Sequence, residues 1–298
     1  MERRSIKEFL RHSDTATQVP TGMWRQIGRK FFRNRLALLG FVLLTIIFLS
    51  AIFASHLSPH SPTQQNLMHR LAPPSSEHWL GTDEYGRDVL SRLLYGARVS
   101  LWVGFCAVAG ALLIGTVVGS LAGFYGGWID NILMRTVDMF NAFPSIFLLI
   151  TIVTLLEPSL TNMVFVFILL GWTGTARLVR GEFLRLKEEE FIWAAKSIGM
   201  SDTRIMFIHM LPNAAGPIIV AATLGVGGVI LAESGLSFLG LGIQPPLPSW
   251  GNMLQGAQSL SIMVLAPWYP LFPGLMILLT VLSFNFIGDG LRDALDPK

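Results

Sequence analysis

Apolar residues in this chain come in long runs broken by short polar stretches, with none of the period-2 alternation of a barrel strand. The first run, Leu36 to Ala54, spans 19 residues interrupted only by Gly40, Thr45 and Ser50. At about 1.5 Å per residue it nearly crosses a hydrocarbon core of about 30 Å. Further runs cover Leu101 to Gly123, Ile132 to Leu156, Leu160 to Thr175, Ala214 to Leu231 and Leu271 to Ile287, the fourth being short. The pattern predicts an all-α polytopic membrane protein with six transmembrane helices. The first run is longer than a signal-peptide core and no A-x-A site follows it, so it reads as a retained span. In the second, Gly115, Gly119 and Gly123 form a small-xxx-small stripe that predicts close approach of another helix backbone.

The organisation that follows is a cytoplasmic tail over 1–35, a first span over 36–57, an extracytoplasmic segment over 58–98, a helical core over 99–291 with an inner loop at 176–212, and a C-terminal tail over 292–298. Within the first tail, Met23, Trp24, Ile27 and Phe31 fall at helical spacing while Arg25, Arg29, Lys30 and Arg33 lie mostly on other faces. That is the pattern of an interfacial amphipathic helix resting on the lipid of the inner leaflet.

Composition excludes whole classes of function. Hydrophobic residues make up 52% of the chain and charged residues 14%, against about 25% charged in a soluble domain; mean hydropathy is +0.55. A soluble enzyme is ruled out. The single cysteine, Cys106, lies inside an apolar run, which excludes an intrachain disulfide or a cysteine-based zinc site. A net charge of +3 raises nucleic acid as a partner, but the basic residues flank membrane segments instead. Nine Lys or Arg precede the first span against three carboxylates, so the positive-inside rule predicts a cytoplasmic N-terminus. Six crossings return the C-terminus to the same side. The 176–212 loop, with six basic residues, falls inside, and the 233–267 segment, with no Lys or Arg, falls outside.

The middles of five of the six spans carry no ionisable group, which argues against a proton pump or secondary transporter. Asp130, Arg135 and Asp138 near the third span, and Glu157 and Glu233 near outer ends, read as interfacial groups with local pairing. No G-x-x-x-x-G-K-[ST], H-E-x-x-H or G-x-S-x-G occurs, so the chain has no phosphate loop, metalloprotease motif or serine nucleophile elbow, and no metal ligand set stands out. Work done by such a protein draws energy from a partner. The inner loop is the place for one to dock: Glu188 to Ser197 reads as a short helix stopped by Gly199, Ser201 or Asp202 caps a second helix running through Leu211, and Pro212 opens the fifth span. Ala194 and Ala195 are small enough to let another surface approach.

Three other features invite a role. The carboxylates Asp83, Glu84 and Asp88 lack calcium-loop spacing, since Leu94 stands where a bidentate Glu would be needed. Their simpler reading is that Thr82 or Asp83 caps a helix and that Arg87 or Arg92 pairs with neighbouring carboxylates. Gly235, Gly240 and Gly242 with Pro245, Pro246 and Pro248 predict broken backbone after the fifth span, which either lines an outer gate with Glu233 and Ser234 or packs as a surface loop. Phe143-Pro144 and Pro217 predict kinks, with Asn141 and Thr223 nearby as polar groups for a pathway.

Trp193-Ala194-Ala195-x-x-x-Gly199, followed by Leu211-Pro212-Asn213, resembles the EAA motif of integral membrane subunits of ABC importers. His78-Trp79-Leu80-Gly81-Thr82-Asp83-x-x-Gly86-Arg87-Asp88, the run from Glu233 to Gly242, Pro248-Ser249-Trp250-Gly251 and the ending from Asn285 to Asp293 resemble the dipeptide and oligopeptide permease C-subunit group. The resemblance implies a type I ABC importer permease core in a bacterial or archaeal plasma (inner) membrane, itself non-catalytic and holding no cofactor. It also implies a second homologous permease, two cytoplasmic ATPases that carry ATP and Mg, and an extracytoplasmic solute-binding protein. Members of the group serve dipeptides, oligopeptides, nickel complexes or oligosaccharides. An autonomous channel or secondary transporter is the competing class. One position departs from the motif: Trp193 stands where the family usually has glutamate, and Glu190, three residues earlier on the same helical face, offers a carboxylate in its place.

Overall fold

The computed structural model describes residues 23–295, so the basic residues before Met23 and the last three residues of the C-terminal tail lie outside it. Among the described residues the fold is helical, with a single isolated β-bridge between Thr82 and Asp88. Five helices are long and apolar enough to cross a membrane: α2 (Arg35–Ile52), α4 (Val89–Tyr125), α7 (Leu160–Lys187), α9 (Asp202–Phe238) and α12 (Trp268–Leu295). Two shorter helices, α5 (Gly127–Asn141) and α6 (Ser145–Leu155), supply a sixth span only as a pair bent by 79°. The third predicted span is therefore broken, at the Phe143-Pro144 position. Proline has no N–H to continue the ladder, and its ring disfavours helical backbone at the residue before it.

Several boundaries differ from those expected of hydropathy. α4 and α9 are each 37 residues long, about 55 Å at the helical rise, so both continue well past the bilayer. α4 thus begins inside the segment expected over 58–98, ten residues before the predicted core. α7, predicted as the short fourth span, continues to Lys187, and α9 begins at Asp202. Within the expected 176–212 loop, the ends of α7 and α9 are helical and 188–201 joins them. The first span ends at Ile52, and a short α3 (Ala54–Leu57) follows a break at Phe53. Gly235 lies inside α9, with the break beginning at Leu239.

α4 and α7 pack through the glycine stripe. A Cβ built at Gly119 would stand 2.4 Å from the Ala176 carbonyl oxygen, and one at Gly115 or Gly123 would stand 2.6 Å from a side chain of α7. Only the missing side chains permit this seam. The amphipathic α1 (Met23–Arg33) sets Phe31, 8% exposed, against Ala37 of α2 and Ala294 of α12. Its apolar face is thus covered in part by protein rather than by lipid alone.

Candidate functional site

The connection between α7 and α9 carries α8 (Glu190–Ser197). Its faces divide by helical periodicity. Ile192, fully buried, and Ala195, 5% exposed, enter a core cluster with Val179 and Phe183 of α7 and Ile205 and Met210 of α9. Glu190, Trp193, Ala194 and Ser197, at i, i+3, i+4 and i+7, form the outward stripe. Of the two alanines expected to admit a partner, Ala194 alone faces out. Gly199 ends the helix at φ +75°. Its N–H donates to the Lys196 carbonyl and that of Met200 to the Ala195 carbonyl, the reciprocal pair of a Schellman cap. Ser201 occupies the N-cap position of α9 without a side-chain capping bond, and the first turns of α9 pass through a π-helical segment, Ile205–Met210, before Leu211 and Pro212. The Lys196 ammonium lies over the Trp193 ring at 5.5 Å. Ile198, Phe207 and Ile208 are exposed as well.

The basic and acidic groups of α5 and α7 pair directly. Arg180 clamps Asp130 through Nε at 2.5 Å and a second nitrogen at 2.6 Å, and Arg177 reaches Asp138 at 2.7 Å. These bonds tie the first half of the bent span to the helix that leads into α8.

A second assembly precedes α4. Asp88, not Thr82 or Asp83, caps that helix: its Oδ2 accepts from the backbone N–H and the hydroxyl of Ser91. Thr82 instead closes a loop, accepting from Ala72 N and donating to the His69 carbonyl. Asp83 is fully buried. Its Oδ1 accepts from Tyr85 N and Arg87 N, while its Oδ2 lies 2.6 Å from Arg87 Nε and 3.3 Å from Arg92 Nε. Gly81 and Gly86 turn the chain at φ +76° and +70°; a Cβ at Gly86 would fall 1.8 Å from the Asn66 carbonyl oxygen. The segment is thus a closed ionic knot under a tight turn.

The broken backbone after α9 folds inward. Trp250 of α10 (Trp250–Gly256) is fully buried, and its indole N–H donates to the Leu93 carbonyl of α4 at 3.1 Å. Above it, Glu233 is fully enclosed: Ser237 donates to Oε1 at 2.6 Å, Ser234 lies 3.5 Å from Oε2, and Ser100 and Ser249 are further partners. α11 (Leu260–Leu265) keeps large apolar side chains outside, as do Leu239 and Leu247. Glu233, expected as an interfacial group with local pairing, is buried among these hydroxyls where α10 packs on the end of α9. The candidate pathway residues make bonds of their own. Asn141 bonds Val137 O and accepts from Thr173, Thr223 bonds Ile219 O within α9, and Glu233 sits ten residues farther along, about 15 Å. A groove of about 760 Å³ runs instead along the first half of α9, past Asn213, Pro217, Val220 and Leu224, to Arg185 and Arg292.

Residues 115–298 match the family described as binding-protein-dependent transport system inner membrane component, and 22–74 match the N-terminal transmembrane domain of oligopeptide transport permease C. The chain belongs to this permease family. It is 51% identical to the dipeptide transport system permease protein DppC of Alkalihalophilus pseudofirmus, over 92% of this chain and 90% of that one. It is 44% identical to the glutathione transport system permease protein GsiD of Pectobacterium atrosepticum, over 96% and 93%, and 41% identical to the oligopeptide transport system permease protein OppC of Bacillus subtilis, over 93% and 90%. A chain of the inward-facing MetNI methionine ABC transporter shares the fold at a TM-score of 0.55 and 19% identity, over 69% of this permease and 96% of that chain. The permease is thus a multi-pass membrane component with the type I ABC importer fold.

Sequence reasoning found α8 and its glycine stop. It missed the assembly of His60, His69, Glu77 and His78 before α4. The signal available was three histidines at even nine-residue intervals, which matches no metal motif.

Proposed function

We propose that the permease is one half of the membrane path of a peptide importer, paired with a second permease, driven by two ATPases and supplied by a solute-binding protein. The observation that carries this reading is α8: a short helix clamped by Ile192 and Ala195 to the ends of two long helices, with Glu190, Trp193, Ala194 and Ser197 left free for a partner. A helix held that way moves with α7 and α9 as one lever. ATPase docking on its outer stripe transmits closure of the motor directly to two spans. The groove along α9 is then half of a cavity that the second permease completes. The peptide class rests on relatives whose names give dipeptides, oligopeptides and glutathione as cargo. The excess of basic residues before α2 supports a cytoplasmic N-terminus and puts α8 on the ATPase side.

The test is co-expression with the neighbouring ATPase and permease genes, in parallel with Gly199→Pro. Proline cannot adopt the φ of +75° that presents α8. ATPase should co-purify with the native chain and not with the variant, and vesicles holding the native assembly should take up di- or oligopeptide when given ATP and binding protein. Flux of the chain alone, without ATPase, would instead identify an autonomous channel.

A further inference from the structure

We infer that the segment before α4 holds a divalent transition-metal ion on His69, Glu77 and His78. One ligand atom from each of these residues lies within 4.8 Å of the others. That is close enough for one ion to reach all three after small rotations of the side chains, and two imidazoles with one carboxylate, plus water in the open position, suit zinc.

The donors are held before any ion arrives. His78 is buried, and its Nδ1 lies 2.9 Å from Asp88 Oδ1. A carboxylate there fixes the tautomer that leaves Nε2 free to ligate, the usual support of a metal-bound histidine. The backbone at His78 is pinned by Ser75 through its N–H and by Gly81 through its carbonyl. His69 ends a 3-10 turn, Leu67–His69, and its carbonyl is held by the Thr82 hydroxyl. Glu77 is fixed from behind, where His60 Nε2 lies 3.0 Å from its backbone carbonyl and the His60 ring packs 4.7 Å from that of His78.

A second triad, His60, His78 and Asp88, is equally close. Its carboxylate is already spent: Oδ1 holds His78 and Oδ2 caps α4 through Ser91. Drawing Asp88 onto an ion would uncap a helix of 37 residues. The Glu77 carboxylate carries no such duty and faces solvent. The bound ion ties together the two turns that present Met68, 90% exposed, and Trp79, 66% exposed.

The full-length chain, purified through a tag free of histidine and stripped with chelator, is titrated with Zn²⁺ alone. The site predicts about one ion per chain, and affinity lower by about tenfold or more in His69→Gln/Glu77→Gln. Both substituted residues are exposed, so the fold is retained. Zn²⁺ should raise the melting temperature of the native chain and not that of the double variant. The assignment is overturned if the native chain binds no stoichiometric ion, if the double variant binds as tightly, or if His60→Gln abolishes binding while the double variant does not.

Discussion

Trp193→Ala removes the largest side chain from the outward stripe of α8, and its effects on docking and on folding differ in size. A tryptophan buries about 150–250 Å² when covered. With 55% of Trp193 exposed, about 80–140 Å² remains for a partner to cover, worth about 2–3.5 kcal/mol at about 25 cal/mol per Å². Part of that is lost in ordering the side chain and the Lys196 ammonium over it. A net loss of about 2 kcal/mol, or about 30-fold in affinity, is the expectation for ATPase binding. The fold should hardly notice, because exposed substitutions stay within about 0.5 kcal/mol. Ile192→Ala reverses the balance: that side chain is fully buried, and its truncation costs about 2–5 kcal/mol. The assay is titration of the purified ATPase onto the permease pair in nanodiscs, with the melting temperature of each variant measured alongside. Affinity within twofold of native for Trp193→Ala, at unchanged melting temperature, would refute the assignment of this face to docking.

Glu190→Gln keeps the shape of the outward stripe and removes its carboxylate, so peptide uptake per ATP hydrolysed should fall several-fold; an unchanged coupling ratio would show that Trp193 has no acidic substitute. Asp83→Asn leaves the guanidinium groups of Arg87 and Arg92, 5% and 1% exposed, without the carboxylate between them. Arg87 keeps Glu84 at 3.5 Å, whereas Arg92 loses its carboxylate; breaking a buried pair costs about 3–5 kcal/mol, to be read as a lower melting temperature in detergent, and no shift would mean that water reaches the knot. Gly119→Leu forces apart a seam in which even a Cβ would lie 2.4 Å from Ala176 O, at a cost of about 1–3 kcal/mol or more. Gly174→Leu, where a Cβ meets nothing within 4 Å, is its control, and equal unfolding of the two in detergent titration would contradict the packing.

Hydropathy located each apolar run but misjudged where helices end, for a physical reason. It marks the part of a helix that must shed water, whereas backbone hydrogen bonding continues until a cap or competing turn stops it, and α9 runs on even through Pro212 and Pro217. Thus α7 runs on through Arg177, Arg180 and Arg185 to Lys187, and α4 begins at a cap, Asp88, well before its first lipid-facing turn. The break at Pro144 was legible, but Pro217 lies inside α9 without ending it, and the size of the 79° bend was not legible. The same distinction governs the site. Gly199 and the outward spacing of Glu190, Trp193 and Ala194 follow from helical geometry alone, but which alanine is buried depends on where α7 and α9 stand. Charge misled most. Glu233 reads as an interfacial group and Asp83 and Arg92 as members of a local ion pair, with no sign of full burial, because an isolated ion in a dry interior costs several kcal/mol. That rule concerns a group without partners: two guanidiniums share Asp83, and hydroxyls surround Glu233. Partners contributed from distant stretches of chain, as Ser100 and Ser249 are to Glu233, leave no local pattern, so buried polar clusters and histidine assemblies of this kind become legible only once the helices are in place.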